Sequence, residues 1–160
     1  MKSYIKKLLV LFIPSAILIY FDQLTKKYAK DVFFYSPYKL IDNIIEFTYH
    51  ENRGAAFGIL QDRQIFFYAV TIAILIFIFY IIKKIDLNKK NIMLYICIIL
   101  IFSGAIGNFI DRIVNKYVID FIYFKPIDFP VFNLADTYIT VACFLFLFLS
   151  IFLYKDKEIF

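Results

Sequence analysis

Residues 65–82 read Ile-Phe-Phe-Tyr-Ala-Val-Thr-Ile-Ala-Ile-Leu-Ile-Phe-Ile-Phe-Tyr-Ile-Ile, an eighteen-residue run in which Thr71 alone falls outside the apolar and aromatic set. An α-helix rises about 1.5 Å per residue, so a run of this length nearly crosses a hydrocarbon core about 30 Å thick. Three further runs, at about 8–28, 92–112 and 134–154, have the same character and carry only a few polar residues near one end. Helices satisfy their own backbone in lipid, so the expected fold is membrane all-α with four transmembrane helices in one domain, 1–160.

Composition agrees. Hydrophobic residues make up 62% of the 160-residue chain and charged residues 19%, with 21 Phe, 13 Tyr, four Gly and four Pro. Ordinary globular chains are about half apolar, and disordered ones carry far fewer aromatics. The net charge of +5 is not spread over a face that could hold nucleic acid. Lys2, Lys6 and Lys7 precede the first run, Lys83, Lys84, Lys89 and Lys90 fill the gap between the second and third, and Lys155 and Lys157 follow the fourth. By the positive-inside rule both termini and the 83–91 loop are expected in the cytoplasm. The basic start and apolar core of 1–21 are signal-peptide-like, but Asp22-Gln23-Leu24-Thr25-Lys26 follows instead of small residues, so this stretch is expected to remain as a helix.

The two segments then expected outside are 29–64 and 111–133. Ile41, Ile44, Ile45, Phe47, Thr48 and Tyr49 predict one or two short strands, a small outer β element within about 38–62. Phe33, Phe34, Tyr35, Tyr38, Phe121, Tyr123, Phe124 and Phe129 suit an interfacial aromatic belt, with 113–133 expected as an aromatic-rich loop lying on the bilayer. Cys97 and Cys143 read as packing residues, and a single histidine, His50, with two cysteines gives no metal-ligand cluster.

The functional signal lies in polar residues at one depth. Counted by helix rise from the inner boundary, Asp22 stands at about 21 Å, Asn108 at about 24 Å, Asp111 at about 29 Å and Asp136 at about 27 Å. Asp22 and Lys26 are four apart, and Asn108, Asp111 and Arg112 occupy one face above Gly104. The plainest reading makes Asp22–Lys26 and Asp111–Arg112 charge-neutralising ion pairs, Asn108 an interhelical bridge, Asn133 a helix cap, His50 a surface residue and Asp128 a turn residue. Asp120 and Asp136 differ. Neither has a basic neighbour in sequence, and a carboxylate in apolar surroundings is costly unless it has a task.

Five stretches in order carry a resemblance: 22–26 (DQLTK), 52–58 (NRGAAFG), 103–112 (SGAIGNFIDR), 118–121 (VIDF) and 132–136 (FNLAD). The chain resembles the lipoprotein signal peptidases, or signal peptidase II, membrane aspartyl proteases. Small departures are Ser103 where Gly is common and Thr137 where Ser is common. The resemblance implies that Asp120 and Asp136 are the catalytic pair, and that Asp22, Lys26, Asn52, Gly54, Gly104, Asn108, Asp111, Arg112 and Asn133 bind substrate or support the site. It further implies that the outer β element at about 38–62 is a β-cradle and 113–133 a lid over the site, with prolipoprotein substrates cut on the amino side of a diacylglyceryl-modified cysteine, inhibition by the cyclic lipopeptide globomycin, no cofactor or metal, membrane lipids as surroundings, and a bacterial inner-membrane location with the active site near the outer face.

The residue chemistry is compatible with peptide hydrolysis. Two close carboxyl groups do not ionise together easily, so they share a proton, one activating water and the other polarising the carbonyl. The alternative from another class is a small proton- or cation-coupled transporter, for which polar groups should run through the full depth of the helices.

Overall fold

The computed structural model describes residues 2–55 and 59–152. Ala56, Phe57 and Gly58 of the second matching stretch, the last two residues of the expected fourth helix and the terminal Lys155 and Lys157 lie outside the described residues. Helix α1 spans Lys2–Phe33, α2 Gln64–Lys84, α3 Ile92–Val114 and α4 Leu134–Phe152. All four are long and apolar enough to cross a membrane. Helix α1 outruns its expected bounds at both ends: its flanking lysines and the 29–33 segment continue the helix. Pro14 is accommodated inside it, as helix interiors in lipid permit when neighbours re-satisfy the backbone.

A three-stranded antiparallel sheet caps one end of the bundle in the order β1 (Tyr38–Ile41), β2 (Ile45–Asn52), β3 (Val118–Phe124). The β1–β2 hairpin turns through Asn43 at φ 58°, a left-handed conformation that asparagine tolerates well. The strand β3 changes the picture of segment 113–133. Its part 118–124 is strand, not loop, and pairs with β2 along most of its length, and Phe132 returns to exchange backbone hydrogen bonds with Ile122 at 2.8 and 3.0 Å. The run Val-Ile-Asp-Phe-Ile is a buried strand whose apolar character its central aspartate interrupts.

Helix α3 is the middle of the bundle. Among helix pairs it packs most against α4 and next against α1. Leu11 of α1, Ile78 and Ile82 of α2 and Leu94, Ile98 and Phe102 of α3 form the main apolar cluster, and Cys97 packs with Ala142 and Leu149 of α4. Both cysteines are free; Cys97 is buried, whereas Cys143 is exposed on the face a bilayer would cover. Two of the expected belt aromatics are interior: Phe33 and Phe121 pack with Ala29 and Phe47 between α1 and the sheet, because β3 turns Phe121 inward. Phe34, Tyr35 and Tyr38 stay exposed, as does Phe129. His50 is exposed on β2, and Asp128 sits left-handed at a turn, accepting a hydrogen bond from the Tyr123 hydroxyl at 2.6 Å.

Gly104 sets the α3–α4 distance. A Cβ there would collide with the Ala135 carbonyl and the Ile139 side chain. Because one of these is backbone, the helices would have to separate. Gly104→Ala should therefore lower stability by about 1–3 kcal/mol, read as a reduced unfolding midpoint of the purified protein in detergent; an unchanged midpoint would show that α3 and α4 are not held this tightly.

Candidate active site

At the sheet end of the bundle a buried polar network is built around Lys26. Its ammonium lies 2.8 Å from Asp22 Oδ2, on the same face one turn earlier, and 3.1 Å from Asp111 Oδ2 of α3. It also donates to Asn108 Oδ1 at 3.0 Å. All three of its N–H groups are thereby used, and the side chain is 1% exposed. The two aspartates share one cation. Asp22 Oδ1 accepts the backbone N–H of Ala135 at 2.9 Å in the first turn of α4, and Asp111 Oδ2 accepts that of Ile119 at 3.1 Å in β3. The ion cluster thus fixes α1, α3, α4 and the sheet to one another.

This differs from the expected Asp111–Arg112 pair. Residues adjacent on a helix point about 100° apart, and Lys26 takes Asp111 instead. Arg112 donates to the Gly54 carbonyl at 3.2 Å and lies 4.3 Å over the Phe67 ring. The Asp22–Lys26 pair forms as expected, Asn108 bridges α1 to α4, and Asn133 caps a helix.

Asp136 and Asp120 are held by amides from this network. Asp136 is the third residue of α4, and with Asn133 it forms a reciprocal cap: its backbone N–H donates to Asn133 Oδ1 at 3.0 Å, and the Asn133 N–H donates to Asp136 Oδ2 at 3.2 Å. Asn108 Nδ2 donates to Asp136 Oδ1 at 2.7 Å. Asp120, 1% exposed on β3, accepts from Asn133 Nδ2 at 2.6 Å and from Asn52 Nδ2 at 2.9 Å. The Gly54 N–H donates to Asn52 Oδ1 at 2.9 Å, which orients that amide. Among the described residues neither aspartate makes an ion pair, and no group of three or more His, Cys, Asp and Glu could hold a metal ion.

Burial, and then the charge of Asp136, push the Asp120 carboxyl up from its ordinary 3.8 to about 7. The amides of Asn52 and Asn133 pull the other way without cancelling the effect. Asp136 lies in the first turn of α4. Both line one cleft of about 490 Å³ with Asn52, Arg112, Phe67 and the Phe129–Phe132 segment.

The eight polar or charged positions Asp22, Lys26, Asn52, Asn108, Asp111, Asp120, Asn133 and Asp136 thus join one connected network, Arg112 and Gly54 flank it, and Gly104 acts beneath it by close packing. Two contributors do not stand out in the sequence. Gln23 Nε2 bridges Asp22, the Gly107 carbonyl and Asp111 at 3.1–3.2 Å. A Cβ on Gly107 would lie 2.5 Å from Asp22 Oδ2. Polarity between Asp22 and Thr25 hints at Gln23; the role of Gly107 depends on which helix lies opposite.

Four spanning helices that gather two amide-held carboxylates at a cleft fit a membrane-embedded hydrolase. The sequence profile of the Signal peptidase (SPase) II family matches residues 15–152. The chain is 43% identical to the lipoprotein signal peptidase of Staphylococcus haemolyticus over 92% of each protein, and 46% identical to that of Caldicellulosiruptor bescii over 80% of this chain and 81% of the other. A solved bacterial membrane enzyme superposes with a TM-score of 0.78 at 34% identity, covering 97% of this chain and 94% of that one. The chain belongs to the signal peptidase II family. The transporter alternative finds no support, since the polar groups collect at one end of the helices.

Lys26→Met should leave Asp22 and Asp111 buried without their shared cation and lower stability by about 3–5 kcal/mol. A double-mutant cycle in detergent unfolding should show strong coupling between Lys26 and Asp111 and little between Arg112 and Asp111. The reverse pattern would restore the adjacent ion pair as the stabilising one.

Proposed function

We propose that this protein removes signal peptides from diacylglyceryl-modified prolipoproteins, cleaving on the amino side of the lipid-modified cysteine, with Asp120 and Asp136 as the catalytic residues. The observation that carries the reading is that two carboxylates on different elements line one cleft, each held by amides and neither ion-paired among the described residues, in a chain of this family. The enzyme resides in the bacterial cytoplasmic membrane with both termini and the lysine-rich loop inside and the cleft near the outer face. The lysine distribution supports this orientation. Prolipoproteins and membrane lipids are its partners, and globomycin occupies the substrate's place.

The steps divide between the two carboxyls. Asp136 takes a proton from a water molecule as that water attacks the scissile carbonyl carbon. Asp120 donates its proton to the carbonyl oxygen, where negative charge develops. On collapse, Asp136 passes its proton to the departing cysteine nitrogen, the C–N bond breaks, and Asp120 recovers a proton from the intermediate's hydroxyl. Asn108, Asn52 and Asn133 hold both carboxyls in place, and Arg112 with Phe67 forms a wall of the cleft.

Asp120→Asn and Asp136→Asn should each slow cleavage of a diacylglyceryl-modified precursor by at least about 10²-fold while leaving the unfolding midpoint close to wild type. Product mapping by mass spectrometry checks both rate and bond. Near-normal turnover by either variant would remove that residue from the chemistry. Globomycin should compete with substrate, and EDTA should leave the rate unchanged.

The pH dependence has a definite sign. A raised pKa means the folded chain holds the Asp120 proton more tightly than the unfolded chain does, so this stabilising contribution is complete below pH 3.8 and is lost as pH rises through about 7. Activity needs the same proton, so kcat/KM should fall on the alkaline side of about pH 7. A flat profile from pH 6 to 9 would contradict the assignment of Asp120 as the proton donor.

A further inference from the structure

The end of the bundle opposite the cleft carries a second feature that peptide hydrolysis does not use. A cavity of about 380 Å³ lies between the start of α1 and the end of α2, lined by Ser3, Tyr4, Lys7 and Lys83. Among the described residues no carboxylate lines it. Lys7 is unusual for a lysine so near a helix end, since it is only 6% exposed. Its one ion pair among the described residues is a long 3.7 Å contact with Asp86, whose own side chain is 86% exposed and so deals mainly with water. A buried ammonium held by so weak a partner calls for another anion.

We propose that this cavity binds the phosphate headgroup of an anionic phospholipid, with Lys7 and Lys83 as the charged contacts and the Ser3 and Tyr4 hydroxyls as hydrogen-bond donors. Two ammonium groups from different helices and two hydroxyls match a phosphodiester, which offers only acceptors and a single negative charge. The lipid, rather than a free phosphate, is indicated by what continues from the cavity. Tyr80 and Ile76 precede Lys83 by three and seven residues on the same helical face and are 56% and 65% exposed, an apolar track for an acyl chain running into the bilayer. Helices α1 and α2 also touch each other only sparingly. A headgroup shared between Lys7 and Lys83 ties them together at the end away from the ion cluster.

The test is thermal unfolding of the full chain in an uncharged detergent, titrated with phosphatidylglycerol, phosphatidylcholine or glycerol 3-phosphate. Phosphatidylglycerol should raise the midpoint saturably, and the other two should not. Lys83→Ala and Lys7→Gln should each weaken the apparent affinity about fivefold, whereas Lys89→Ala, which removes the same charge outside the cavity, should change it less than twofold. Lys83 is exposed, so its variant keeps the test decisive even where Lys7→Gln does not fold. An equal loss in Lys89→Ala would reduce the effect to the general field of the lysines and overturn the site. An equal response to phosphatidylcholine would overturn its charge selectivity, and glycerol 3-phosphate binding as tightly as the lipid would overturn the lipid assignment.

Discussion

The shared ion cluster of Asp22, Lys26 and Asp111 is the constraint on which the rest of the site depends. Two carboxylates and one ammonium buried in a bundle of apolar helices would be costly if each charge had to be satisfied alone. Here the cation uses all three N–H groups on Asp22, Asp111 and Asn108, and the surplus negative charge is met by two backbone N–H groups, of Ala135 and Ile119, and by Gln23. Those backbone groups are the first turn of α4 and the second residue of β3. The cluster is therefore a template: it cannot be satisfied unless α4 begins, and β3 runs, where they do. Asp136 and Asp120 follow Ala135 and Ile119 by one residue each, so both acids are positioned by the same lattice that neutralises the interior charge.

The sequence made the spanning helices plain because hydropathy acts over eighteen or more residues and is insensitive to what each helix meets. It made Asp120 and Asp136 conspicuous for the opposite reason, as isolated carboxylates among apolar residues. What it hid is tertiary. Asp111 and Arg112 are neighbours with opposite charge, yet the helix directs them to different partners, and nothing local says that a lysine 85 positions earlier will arrive between them. Phe33 and Phe121 read as belt aromatics until β3 pairs with β2 and turns them against each other's surroundings. The strand itself was hidden by Asp120, which interrupts the apolar pattern that would have announced it. Gln23 and Gly107 matter through α1–α3 contact, which one sequence cannot display.

The two acids are held differently by the elements that carry them. Asp136 takes its place in the cap of α4 by bonding back to the Asn133 N–H. On β3 the next two backbone N–H groups, of Phe121 and Ile122, go to the Phe132 carbonyl, and the Asp120 carboxyl is held by two side-chain amides. Asn133 joins them, with its carbonyl oxygen on the Asp136 backbone and its amide on the Asp120 carboxyl. It leaves no spare freedom for either acid to drift, because moving one would break the helix cap and moving the other would strip the amide from a buried carboxyl. Residues so placed rest on rigid elements rather than loops, and the short sheet pinned over the helix ends supplies them.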